Sequence, residues 1–241
     1  MIIKGVKGLS HGSSQIETPL KSRIRALHFS ISEGSYRIGD WQTLLRDIEA
    51  SDIGVRSKLR EDITMVSAAL HSRHNYPTAP FLPIYIVELA ILVGATAITI
   101  YHSLIPNLLA TLLLAVTLQP TLKVTTGLIL GVRYSHAYLW YFEPRFKMKY
   151  GDYVSRPTWQ RLLINFVGSV GTPLAMIIGL KLLAENAYLF WLCAMGLIAF
   201  SMMQIVAFSA ALAGITRLGP FTLRHLTTPA MLGFEIRERL R

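Results

Sequence analysis

A single cysteine in 241 residues, Cys193, is the first limit on what this chain can be. It excludes an intrachain disulfide, a thiolate zinc cluster and a CxxC redox pair. Its place inside an apolar run reads as a buried thiol that packs like a small hydrophobe. Charge is scarce as well: 16% of residues are charged, with 14 acids against 24 Lys and Arg, where soluble domains carry about 25%. The basic start of the chain, with Lys4, Lys7, Lys21, Arg23 and Arg25, lacks the apolar h-region of a secretory signal. Internal repeats of about 20 to 50 residues are absent. So are a P-loop, a histidine-rich box of the desaturase kind and a DxxxD pair for magnesium, and no signature names a reaction.

What the chain has in abundance is hydrocarbon. Hydrophobic residues make up 52%, gathered in long runs at about 81–101, 104–119, 162–183 and 188–215. About 20 apolar residues at 1.5 Å each cover the bilayer core, so each run is a membrane-span candidate. Residues 121–142 decide the topology, because Lys123, Arg133 and His136 lie there among Leu, Val and aromatic side chains. As a fifth span, this stretch would place an arginine in the bilayer at a cost of about 2.5 to 3.5 kcal/mol. As an interfacial or re-entrant helix it leaves four spans in two hairpins. Then 11 basic residues before position 78, 7 from Lys123 to Arg161 and 5 from Arg217 onward share one side, leaving only Lys181 of the 24 opposite. That satisfies the positive-inside rule. The net charge of +10 is therefore read as membrane orientation and not as nucleic-acid binding.

Residues 1–77 read as a helical segment on the basic, cytoplasmic side. Thr18-Pro19 suits a helix start, N-cap then proline, with a helix running to Ser32. Asp40 opens a second helix through Leu44, Leu45 and Ile48. Val55, Leu59, Ile63, Val66 and Leu70 form the apolar stripe of a third, with Arg56, Lys58, Arg60, Glu61 and Asp62 on its other face. The stripe packs against the chain's own helices or the membrane, with a coiled-coil partner as the sharper alternative. Pro77, Pro80 and Pro83 lead into the membrane domain, 78–216, which a basic tail follows at 217–241.

The densest polar constellation in an apolar setting is Arg133, His136, Trp140, Glu143 and Arg145. On a helix the first four would share one face, able to hold a lipid headgroup or phosphorylated lipid. The plainer reading is an interfacial helix, anchored by its aromatics, in which Arg133 pairs with Glu143 or snorkels. Glu88 in the first span and Gln204 in the last are intramembrane polar residues, suited to interhelical hydrogen bonds or, for Glu88, a proton or cation site. Gly127 and Gly131 form GxxxG, and Gly168 and Gly171 lie in the third span; small residues like these let helices approach closely. Thr172-Pro173 should kink that span. His71 and His74 lie three apart without a third ligand nearby, so no metal is expected. The string Tyr141 to Gly151, YFEPRFKMKYG, has the density of a motif.

Together these observations imply an all-α integral membrane protein with no cofactor, bound lipids, and partners in the bilayer and among other membrane subunits. The function they favour is a non-catalytic accessory or assembly subunit. A lipid- or isoprenoid-acting enzyme at the cytoplasmic interface is the alternative, and a small transporter or channel subunit the second alternative. A bacterial inner membrane is the expected location, with the mitochondrial inner membrane or another organelle membrane as alternatives.

Overall fold

A computed structural model describes residues 11–140, 143–215, 217–218, 221–222 and 228–240. It is mostly helical, with four helices long and apolar enough to cross a membrane: Phe81–Tyr101, Leu104–Ile129, Thr158–Leu182 and Ala187–Ala213. The chain divides into two compact units.

The first unit contains residues up to Pro77 together with Val132–Tyr134 and Lys147–Pro157. Its helices are α1 (His11–Ser32), α2 (Asp40–Ala50), α3 (Ile53–Lys58), α4 (Arg60–Ser72) and the short α7 (Tyr150–Val154). Helix α1 begins at His11 and carries Pro19 inside it, so Thr18 is not its cap. Gly34, with φ of 76°, lies just beyond α1, at the left-handed position where a glycine ends a helix at least strain. The third predicted helix is two helices, broken at Leu59 (φ −84°, ψ 1°). Its stripe is nevertheless the core: Val55, Leu59, Ile63 and Val66 are buried with Ile24, Ile48 and Tyr153. The stripe is thus covered by this chain's own α1 and α7. Arg56, assigned by sequence to the charged outer face, is buried too and donates from Nη1 to the Val154 carbonyl at 3.1 Å.

The second unit holds Thr78–Gly131, Ser135–Phe146 and the chain from Thr158 onward. Helix α5 (Phe81–Ile98) ends in a 3-10 turn, Thr99–Tyr101, before α6 (Leu104–Ile129). Helices α8 (Thr158–Leu182) and α9 (Ala187–Ala213) follow, then a C-terminal helix, Thr228–Leu240, packed on α8 and α9. Helices α6 and α8 are the centre of this unit, and their contacts read off an antiparallel register. Lys123 faces Gly168, Gln119 faces Thr172, Thr111 faces Gly179 and Asn107 faces Leu182. A Cβ on Gly168 would lie 3.0 Å from that of Lys123, and one on Gly171 would strike the backbone of Gln119. These two glycines let α8 press against α6.

Among the described residues of 121–142 there is no separate interfacial helix: they divide between the end of α6 and a strand. Helix α6 continues past Pro120 to Ile129, because Thr121, Val124 and Gly127 bury one face and Lys123 has polar partners on the C-terminal helix. Neighbouring helices commonly make such a proline tolerable in an apolar helix. Gly131, with φ of 76°, terminates α6, its N–H donating to the Leu128 carbonyl. Residues beyond it form strands β2 (Tyr134–Trp140) and β3 (Glu143–Met148), which join β1 (Thr78–Pro80) in a sheet of order β1-β2-β3. Strand β1 runs antiparallel to β2, Thr78 opposite Tyr138 and Pro80 opposite His136. At the entry to β2 burial alternates, with Val132 and Tyr134 buried and Arg133 and Ser135 exposed, before Ala137, also buried, breaks the alternation. Prolines stand on both edge strands, Pro80 and Pro144, and none on the central one, as ladder hydrogen bonding demands.

Candidate functional site

The strand corrects the helical constellation directly. A face that steps by three and four exists only on a helix, and residues 134–140 and 143–148 are extended. The five candidates are also divided between units: Arg133 belongs to the first, and His136, Trp140, Glu143 and Arg145 to the second. The side chains of Trp140 and Glu143 lie outside the described ones. His136 lies 3.0 Å through Nδ1 from the Ser135 hydroxyl and edge-on to Tyr138. Arg145 is half-buried on β3.

Arg133 is built into the first unit. Its Nε donates to Asp152 Oδ2 at 2.8 Å, its Nη2 to Oδ1 at 3.0 Å, and its backbone N–H to Oδ2 at 3.1 Å. Nη2 also reaches Glu61 at 3.3 Å, and Arg60 Nε lies 3.4 Å from Asp152 Oδ1. Asp152 stands in the first turn of α7 with 1% of its side chain exposed. Burial alone would raise its pKa; the hydrogen bonds and charge of Arg133 outweigh this and hold the carboxyl below its ordinary value. A planar guanidinium gripping both carboxylate oxygens fixes orientation as well as charge. The arrangement anchors residues 132–134 to α7, and Arg133 is thereby engaged by carboxylates of its own chain.

Gly151 explains part of the motif-like string. A Cβ there would collide with the carbonyl of Arg60, and its N–H donates to Thr64 Oγ1 at 3.1 Å. Close by, Lys147 Nζ donates to Ser67 Oγ at 2.9 Å, and burial lowers its pKa to about 8.

In the second unit, α8 carries a polar file through its apolar length. Arg161, Asn165, Ser169 and Thr172 are all buried and recur at helical spacing. Arg161 Nη1 lies 3.2 Å from Glu235 Oε1 of the C-terminal helix. Thr172 donates to Gln119 Oε1 at 2.9 Å, and Lys123 Nζ to Thr228 Oγ1 at 3.3 Å. The C-terminal helix therefore closes over this file, inside what sequence read as a basic tail. On the other flank of α6, Tyr85 and Thr125 hydroxyls meet at 2.7 Å, and Glu88 is buried on the same helix as Tyr85. Gln204 is half-buried on α9.

Sequence reasoning missed Asp152, Glu235, Asn165 and Lys123 as structural partners. The α8 file was legible as polar residues three and four apart within an apolar run. Asp152 carried no such signal, since its partner lies 19 residues away. One literal string stands apart from these: Gly8 to Gly12 reads GxSxG. That chemistry needs a strand–turn–helix setting, and Ser10 lies outside the described residues. Among the described residues no group of three or more His, Cys, Asp or Glu could hold a metal. His71 and His74 instead both lie against Tyr76.

Compared with family models, curated proteins and solved structures, the chain matches none.

Proposed function

We propose that this chain is a non-catalytic multi-pass membrane subunit, an accessory or assembly component of a larger membrane complex. One observation carries the reading: the polar groups best placed for chemistry hold the chain's own elements together. Arg133 grips Asp152, Arg161 meets Glu235, and Lys123 reaches Thr228. The reading as a lipid-acting enzyme relied on a helical face, and residues 134–140 and 143–148 are strands. In the proposed topology, α5 with α6 and α8 with α9 form two hairpins across the bilayer. The antiparallel register of α6 and α8 supports it, as does the positive-inside division of Lys and Arg. The segments before α5, between α6 and α8, and after α9 then lie on the cytoplasmic side, with a bacterial inner membrane as the favoured setting. The partners are other membrane subunits, and the outward faces of α5 and α9, with Ile86, Val93, Trp191, Met195 and Met202 exposed, meet lipid or those subunits.

Purification of a tagged chain from its native membrane in mild detergent tests this. A particle containing further membrane subunits at fixed stoichiometry is the expected result. A uniform particle of one 26.9 kDa chain with lipid alone, retained across several gentle detergents, would overturn it.

A further inference from the structure

The two central helices of the second unit are weakened at the same level. Pro120 lies inside α6 and Pro173 inside α8. Each directly follows one member of a hydrogen bond between the helices, Thr172 Oγ1 to Gln119 Oε1 at 2.9 Å. Gly171, one residue before Thr172, admits the Gln119 backbone into the space a Cβ would fill. A proline has no N–H, so the carbonyls of Val116 and Ser169, four residues earlier, lose their helical donors. Beside each break lies a second weakness. Thr117 Oγ1 donates to the Leu113 carbonyl at 2.7 Å, and Ser169 Oγ to the Asn165 carbonyl at 2.7 Å. Hydroxyls that bond back along their own helix destabilise it slightly and often bend it. Sequence pointed to one kink, at Pro173; the antiparallel register makes it one of a matched pair.

The contacts on the two sides of this level form separate sets. Toward Lys123, that lysine lies against Gly168 and reaches Thr228 at 3.3 Å, while Arg161 pairs with Glu235 at 3.2 Å. Toward Asn107, Leu114 and Ala175 pack with Ala95 of α5, and Asn107 Nδ2 donates to the Leu182 carbonyl at 2.8 Å. Only the Gln119–Thr172 bond and the Gly171 contact stand at the breaks themselves.

We infer that Pro120 and Pro173 form one two-leaved hinge. About it residues 104–118 of α6 and 174–182 of α8 tilt together as a single body against the Lys123 end. A proline in one helix alone would shear that helix past its neighbour and cost their contacts. Breaks at the same level let both helices bend in step, so the Asn107–Leu182 bond and the Arg161–Glu235 pair both survive. Hinges of this kind place the backbone change in a few residues and leave the packed bodies intact. Helices α5 and α9 run past this level, with no proline beyond the first turn of α5. They are the two least buried spans, held loosely enough to slide. A membrane subunit so built follows the movement of a neighbour without breaking its buried ion pair, and the hinge holds whichever partner that neighbour is.

Distances between spin labels in the full chain, in nanodiscs and a Cys193→Ala background, test this. Labels go on cysteines replacing Leu112, Leu128, Leu163 and Ile177, all exposed. Leu112 with Leu128 on α6, and Leu163 with Ile177 on α8, straddle the breaks. Leu112 with Ile177, and Leu128 with Leu163, each lie within one body. The straddling pairs should give distance distributions clearly broader than the within-body pairs. Pro120→Ala combined with Pro173→Ala should narrow them to the within-body width. Thr117→Val with Ser169→Ala, which keeps both prolines, should narrow them in part. Straddling pairs as narrow as within-body pairs in wild type would overturn the hinge, whether or not the proline variants fold. So would a broad Leu112–Ile177 distribution, because it would show α6 and α8 parting and not tilting together.

Discussion

Arg161 on α8 and Glu235 on the C-terminal helix form an ion pair at 3.2 Å with 5% and 10% of their side chains exposed. Two opposite charges are thus held where water scarcely reaches, and each makes the other tolerable. Removing one member leaves a buried charge beside the space its partner filled, at about 3 to 5 kcal/mol. Arg161→Met and Glu235→Leu should each lower the melting temperature in detergent, and the double variant should lose less than the sum of the two. Additive losses in the double-mutant cycle would show that the pair is not coupled.

Gly151 should tolerate no side chain. Gly151→Ala drives a methyl into the Arg60 carbonyl, and overpacking of this kind costs about 1 to 3 kcal/mol. Limited proteolysis should then cut α4 and α7 faster than in wild type. Gly196→Ala is the control, since nothing lies within 4 Å of its would-be Cβ, and it should leave the digestion pattern unchanged.

Lys147 sets a pH dependence. Burial lowers its pKa to about 8, below the ordinary lysine range. Below about pH 8 the folded and unfolded chains both hold the proton, and folding carries the full penalty of the buried ammonium. Between about pH 8 and the ordinary lysine range the unfolded chain binds more protons, so stability rises with pH. Lys147→Gln keeps a donor for Ser67 and removes the charge. It should melt higher than wild type at neutral pH, and the difference should shrink as pH rises toward about 10.

The proposed topology has a direct readout. Single cysteines replacing Ser35 and Leu240, both exposed, in a Cys193→Ala background should be shielded from a membrane-impermeant thiol reagent in intact cells. One replacing Ala184, exposed in the link from α8 to α9, should react. Labelling of Ser35→Cys and Ala184→Cys from the same side would sink the arrangement.

The four long apolar helices were legible because a run of hydrocarbon is an average property that survives errors at single positions. Residues 121–148 were not. Pro120 reads as a stop only if the residues after it have nothing to pack on, and Thr121, Val124 and Gly127 find a face. The aromatic stretch from Tyr134 carries both periods in outline; what selects the strand is pairing with β1, whose residues stand more than 50 positions earlier. The same holds for the site. Arg133 was visible as a charge in an apolar setting, but nothing local indicates Asp152 over Glu143, because the carboxylate it grips is chosen by the return of α7 to the first unit. Lys123, one of the charges that argued against a span at 121–142, lies on α6 with Thr228 of the C-terminal helix as a partner, and that helix read as a tail.

The first unit is also discontinuous: it takes in Val132–Tyr134 and Lys147–Pro157 after the chain has made α5 and α6. A ribosome delivers residues in order, so α1 to α4 emerge long before the segment that buries Tyr153 and Val154 against them. The stripe from Val55 to Val66 must wait, partly uncovered, until two hydrophobic helices have left the exit tunnel. Completion of this unit therefore follows the synthesis of the two long apolar helices α5 and α6. The bond between Arg133 and Asp152 acts as a timestamp, forming only after that step.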